Sequence, residues 1–172
     1  MDIFAHGLWA AAGAHGLNLK KKNKLSVAWV TFWGIFPDLF AFTPVFTVLF
    51  WNLIFQKSGL RGGAESAFAS LGPLTSHLYS ISHSLIVFAI IFAAVALIKK
   101  CSVWELSGWL LHILIDIPSH SKEFYPTPFL WPVSRFEVSG YSWAHPVFLA
   151  LNYFAIISVY ILLSRRRNKK RT

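Results

Sequence analysis

Ser80-Ile-Ser-His83-Ser-Leu85-Ile-Val-Phe-Ala-Ile-Ile-Phe-Ala-Ala-Val-Ala-Leu-Ile98 contains no Asp, Glu, Lys or Arg and stops against Lys99-Lys100. An apolar run of this length with a basic stop reads as a membrane-spanning helix. The rest of the chain agrees, since 55% of its 172 residues are hydrophobic and only 13% charged, with a mean hydropathy of +0.53. The expected fold class is therefore all-α, an integral membrane helical bundle forming a single domain over residues 1–172 with a basic tail at 165–172.

Working outward, the pattern predicts about five helical segments, some short or broken. The first covers residues 3–19 and the second runs from Leu25 to the interruption at Pro37-Asp38. A further apolar stretch at 41–55 is broken near Pro44. The third covers 80–98, the fourth 102–117 and the fifth 146–164.

The net charge of +9 lies in short clusters between and after these segments: Lys20-Lys21-Lys22-Asn-Lys24, Lys99-Lys100 and Arg165-Arg166-Arg167-Asn-Lys169-Lys170-Arg171. Such clusters are topology signals, so no nucleic-acid partner is expected. Placing all three in the cytoplasm leaves only Lys57, Arg61, Lys122 and Arg135 outside, of 16 Lys and Arg. The N-terminus is then out and the C-terminus in, with residues 56–79 and 119–145 read as outer loops of a multi-pass inner-membrane protein. Asp2, with no basic residue before the first apolar stretch, is unlike a cleavable signal peptide, and the single Cys101 has no partner for a disulfide.

Ionisable residues inside these segments are costly and mark function. His112 and Asp116, in Trp109-Leu-Leu-His112-Ile-Leu-Ile-Asp116-Ile-Pro118, share one helix face at i and i+4. His6, Asp38, His83 and Asp116 each lie about 14 to 16 residues from the inner basic layer, roughly 20 to 24 Å along a helix, with His112 one turn deeper. Three imidazoles and two carboxylates, His6, Asp38, His83, His112 and Asp116, thus form a candidate metal set at one depth, near the outer leaflet. Mixed N/O donors suit a divalent transition metal, Zn²⁺ first and Mn²⁺ or Fe²⁺ next. Ala-His-Gly-Leu occurs at both 5–8 and 14–17, and a shift of nine residues turns His15 to the opposite face from His6.

A metal held there activates water and offsets charge on a phosphoryl or acyl oxygen, so Asp116 and His120 are read as catalytic. His120, after the expected helix end at Pro118, is either a further ligand or the acid for the leaving group. Lys122, Arg135 and Trp131 are candidate substrate contacts, and Trp104, Trp131, Trp143, Tyr125 and Tyr141 an interfacial aromatic belt. The expected partners are the lipid bilayer and a lipid or lipid-linked substrate. Other classes fit less well: no His-Glu-x-x-His of a metalloprotease occurs, and the Arg and Pro-Ser-Gly-His of metal-free phosphatidic-acid phosphatases are missing. A metal or proton transporter lacks the expected repeat.

Ala5-His6-Gly7, Phe36-Pro37-Asp38, Ser82-His83-Ser84, Leu111-His112-Ile-Leu-Ile-Asp116 and Pro128-Phe-Leu-Trp131-Pro132, in this order, resemble the small bacterial and archaeal inner-membrane proteins known as membrane-bound metal-dependent hydrolases, some of them LexA-regulated. The resemblance implies a membrane fold, a metal centre and hydrolysis. Two departures stand out. Phe40 occupies the place where that family commonly carries a second acid, and His77-Leu-Tyr-Ser-Ile-Ser-His83-Ser84 replaces a shorter, Arg-containing His-Arg-Gly-x-Thr-His-Ser.

Overall fold

The computed structural model describes residues 1–20, 24–55, 59–99, 103–123 and 125–169. Lys21, Lys22, Lys57, Lys100, Cys101, Lys170 and Arg171, named above as topology or cysteine signals, lie outside the described residues, as does the expected start of the fourth segment at Ser102. Among the described residues there are six helices: α1 (Ile3–Asn18), α2 (Val27–Phe55), α3 (Leu60–Ser82), α4 (Leu85–Lys99), α5 (Ser107–Ser119) and α6 (Pro146–Lys169), with a 3₁₀ turn at Trp104–Leu106 before α5. No strand occurs among the described residues. Among the described residues two helices, α2 and α6, are long and apolar enough to cross a membrane, and α3 with α4, bent by 59° at their junction, can make a third span.

The expected break at Pro37-Asp38 does not occur. α2 runs for 29 residues through both Pro37 and Pro44, where its packing along α1, α3 and α5 outweighs the hydrogen bond each proline removes. Its buried residues, Val30, Gly34, Pro37, Ala41, Val45 and Asn52, recur at three or four and trace one stripe. The opposite face presents Trp29, Phe32, Phe46, Phe50 and Ile54 outward, as lipid contact requires. The third segment is also corrected: residues 60–79, read as part of an outer loop, form most of α3. This weak helix former is held by packing along α2, since tertiary context overrides propensity.

The α3–α4 junction is built by its own sequence. Ser84 caps α4, its Oγ accepting from the backbone N–H groups of Ile86 at 3.1 Å and Val87 at 3.2 Å, which leaves His83 at the bend. α5 fits closely between α2 and α4. Trp109 and Ile113 pack with Phe88 and Leu106 in a core completed by Trp33 and Phe36 of α2. α6 sits at the periphery against α1, joined by Trp9 Nε1 to Asn152 Oδ1 at 2.9 Å, Tyr153 Oη to Asp2 Oδ1 at 2.9 Å and Tyr160 Oη to the Leu8 carbonyl at 3.0 Å. Such polar contacts hold helices together where lipid removes the hydrophobic drive between them.

Candidate metal centre

Three helices, α1, α2 and α5, and the α3–α4 junction deliver the site. Gly34 and Gly108 face each other where α2 and α5 touch backbone to backbone: a Cβ on Gly108 would overlap the Val30 carbonyl, and one on Gly34 would collide with the Ala10 side chain. This approach brings His112, one turn beyond Gly108, onto the Gly34 carbonyl, to which its Nδ1 donates at 2.7 Å. His83 Nδ1 donates to the Tyr79 carbonyl at 3.1 Å and lies 3.0 Å from Ser82 Oγ, which itself donates to the Pro37 carbonyl at 3.1 Å. His120 caps the C-terminus of α5, and its Nδ1 donates to the Tyr125 carbonyl at 2.7 Å. α5 therefore ends one residue beyond Pro118, with Gly140, Tyr141 and Trp143 donating to the carbonyls of its last turn.

These carbonyls set the chemistry. An imidazole whose Nδ1 carries the hydrogen presents Nε2 as a lone pair. His83 Nε2 and His112 Nε2 are 3.0 Å apart. Asp116 Oδ2 lies 3.2 Å from His112 Nε2 and 3.4 Å from His83 Nε2. Asp38 Oδ1 lies 3.6 Å from His83 Nε2 and 3.7 Å from His112 Nε2. Four electron-rich atoms thus converge in a buried place, and Asp116 Oδ2 has no hydrogen-bond donor at all. Ligands bonded to one ion at about 2.0 to 2.2 Å in a tetrahedron stand roughly 3.3 to 3.6 Å from one another. Five of the six separations here run from 3.0 to 3.7 Å, close to that edge length, and all four atoms lie within 4.8 Å of one another. The N/O donor set suits Zn²⁺, Mn²⁺ or Fe²⁺. Asp38, His83, His112 and Asp116 are accordingly placed to hold a divalent metal.

His6 adjoins this group. Its ring stacks on His112 with centroids 3.6 Å apart, and its Nε2 is 2.9 Å from Asp116 Oδ1. His120 Nε2 lies 3.3 Å from the same oxygen. The Met1 nitrogen also contacts Asp116 Oδ1, and is 2.8 Å from His120 Nε2. His15 is exposed on the other face of α1 and His77 is exposed beside Trp131, at 5.9 Å between rings.

Beside the cluster opens a cavity of about 300 Å³ whose wall includes Asp38, His120, Ile3, Phe42, Phe46 and Phe68. Tyr125 and Trp143, read from sequence as interfacial belt, also line it. The proposed substrate contacts lie elsewhere. Lys122 and Arg135 are exposed, Trp131 is half-buried with its carbonyl accepting from Ser84 Oγ, and none of the three lines this cavity. Sequence reasoning missed the supporting residues Gly34, Gly108, Tyr79, Ser82 and Tyr125. One signal was available: Gly108, His112 and Asp116 recur every fourth residue and so share a face.

Fold and site together define an all-α membrane protein with a buried His/Asp cluster able to hold a metal. No family model, curated protein or solved structure matches the chain.

Proposed function

We propose that this protein is a membrane-bound metal-dependent hydrolase that cleaves a phosphoester or acyl ester of a lipid or lipid-linked substrate. The observation that carries the reading is the convergence of imidazole Nε2 atoms and carboxylate oxygens whose lone pairs face one another, each imidazole held in that tautomer by a backbone carbonyl. Such an arrangement is repulsive until a cation occupies it. When bound, a divalent metal supplies Lewis acidity, which activates water near neutral pH and stabilises charge developing on the substrate oxygen.

The chain's own groups do the rest. Asp38, half-buried between cluster and cavity, and His120, on the cavity wall, are the polar groups a substrate meets first. The phenyl rings of Phe42, Phe46 and Phe68 on the cavity wall match the apolar chain of a lipid. The resemblance of the His6, Asp38, His83 and His112/Asp116 segments to membrane-bound metal-dependent hydrolases supports the same reading. The basic clusters support placement in an inner membrane with the site toward the outer leaflet.

Purified protein in detergent, where no gradient exists, is expected to hydrolyse one member of a panel of lipid phosphoesters and acyl esters, with activity lost to chelator and restored by Zn²⁺ or Mn²⁺. Metal-loaded protein that cleaves nothing on the panel, yet carries metal ions or protons into liposomes, would overturn the hydrolase reading in favour of a transporter.

A further inference from the structure

The two oxygens of Asp116 face different partners. Oδ2 belongs to the group formed with Asp38, His83 and His112. Oδ1 points the other way, with His6 Nε2 at 2.9 Å and His120 Nε2 at 3.3 Å. His6 is only 1% exposed; its Nδ1 has no hydrogen-bond partner, and the polar atom facing its Nε2 is Asp116 Oδ1 at 2.9 Å. A fully buried imidazole with an unpaired nitrogen is costly in a protein interior. A metal ion suits this geometry, since it asks only that the lone pair of Nε2 reach it at about 2.0 to 2.1 Å. His120 supplies a second lone pair on the same side, its Nδ1 hydrogen being committed to the Tyr125 carbonyl.

We infer that Asp116 is a bridging carboxylate and that a second divalent-metal position lies on its Oδ1 side, held by His6 and His120. The inference rests on the first position being a metal site, as proposed above. It decides between the two roles open to His120, making it a ligand rather than the proton donor. It also explains why α1, too short to span a hydrocarbon core of about 30 Å, carries a histidine to this depth: its ring completes a set that α5 alone cannot. The second acid absent at Phe40 is not needed, because imidazoles supply the second position. The Met1 nitrogen lies against the same oxygen, and as an ammonium it is the alternative cation for this place.

The test is a count of metal in the full chain, purified in detergent and equilibrated with Zn²⁺ alone, then with Mn²⁺ alone. Two equivalents per chain are expected, with an exchange-coupled Mn²⁺ pair in the electron paramagnetic resonance spectrum. His6→Gln and His120→Gln should each retain one equivalent and lose the coupling, and Asp38→Asn should weaken the other equivalent. Helix content by circular dichroism keeps the comparison to folded variants, and the wild-type count and spectrum stand whether or not a variant folds. One equivalent in the wild type, unaffected by His6→Gln and His120→Gln, would overturn the bridge and leave the ammonium as counter-cation. No bound metal in the wild type would instead overturn the metal reading of the first position.

Discussion

At the scale of single residues, the reading of Asp38, His83, His112 and Asp116 Oδ2 as converging acceptors predicts an unusual response to substitution. Asp116→Asn exchanges one carboxylate oxygen for an N–H₂ donor of the same shape, which can satisfy an imidazole lone pair. Removing a charge from a matched buried network ordinarily destabilises by several kcal/mol. Here the metal-free variant is expected to melt no lower than metal-free wild type, while Zn²⁺ raises the melting temperature of the wild type and not of the variant. Thermal unfolding with and without chelator checks this, and a large drop in the metal-free variant would show that Asp116 serves a structural ion pair. The two histidines of the repeated Ala-His-Gly-Leu give a second contrast. His6 is buried against Asp116 and His15 is exposed, so His15→Ala should leave bound metal unchanged.

At the scale of the element, the position of His112 depends on how closely α5 approaches α2. Gly108→Ala places a methyl group on the Val30 carbonyl, and the helices must separate to admit it. Overpacking of this kind costs roughly 1 to 3 kcal/mol, and the separation draws His112 Nδ1 off the Gly34 carbonyl. A lower melting temperature together with weaker metal binding is the expected pair of results. Loss of stability with full metal affinity would mean that α5 tilts without moving His112. The α3–α4 junction offers a milder case. Ser84→Ala removes a helix cap, worth about 1 kcal/mol, and also a tie to the Trp131 carbonyl, so it should destabilise while the imidazole of His83 keeps its own carbonyl partner.

For the whole molecule, helix lengths and charge define the relation to the bilayer. α2, with 29 residues, is roughly 44 Å long and exceeds a hydrocarbon core of about 30 Å. α1 and α5, with 16 and 13 residues, are shorter than that core, and each carries a cluster residue near one end, His6 in the first turn of α1 and Asp116 in the last turn of α5. Asp38, eleven residues into α2, sits roughly 16 Å from its start, well inside the bundle. The far ends of α2 and α3 extend past it as a hairpin, where the exposed pair Arg61 and Glu65 meets at 3.1 Å. The basic clusters predict that this hairpin faces out and that the tail of α6 faces in. A cysteine at Glu65, in a chain carrying Cys101→Ser, should react with a membrane-impermeant maleimide added from outside. A reporter fused after Thr172 should be active only in the cytoplasm, and periplasmic activity would invert the topology.

Periodicity, composition and charge placement determined the all-helical membrane class, the approximate extent of α1, α4, α5 and α6, and the ionisable residues at a common depth. These are local or one-dimensional properties: an apolar run without charges has few alternatives in water or lipid, and helical rise converts residue count into depth. The His112 and Asp116 face of α5 and the outward turn of His15 were legible for the same reason. The continuity of α2 through Pro37 and Pro44, and the helix at 60–79, were decided only by tertiary structure, because packing against partner helices outweighs the bonds lost at the prolines and holds a weak helix former in place. The direction of each lone pair was decided there too. Which nitrogen of His83, His112 or His120 faces Asp116 depends on carbonyls of Tyr79, Gly34 and Tyr125, and two of these contacts reach across elements or loops that no spacing rule connects.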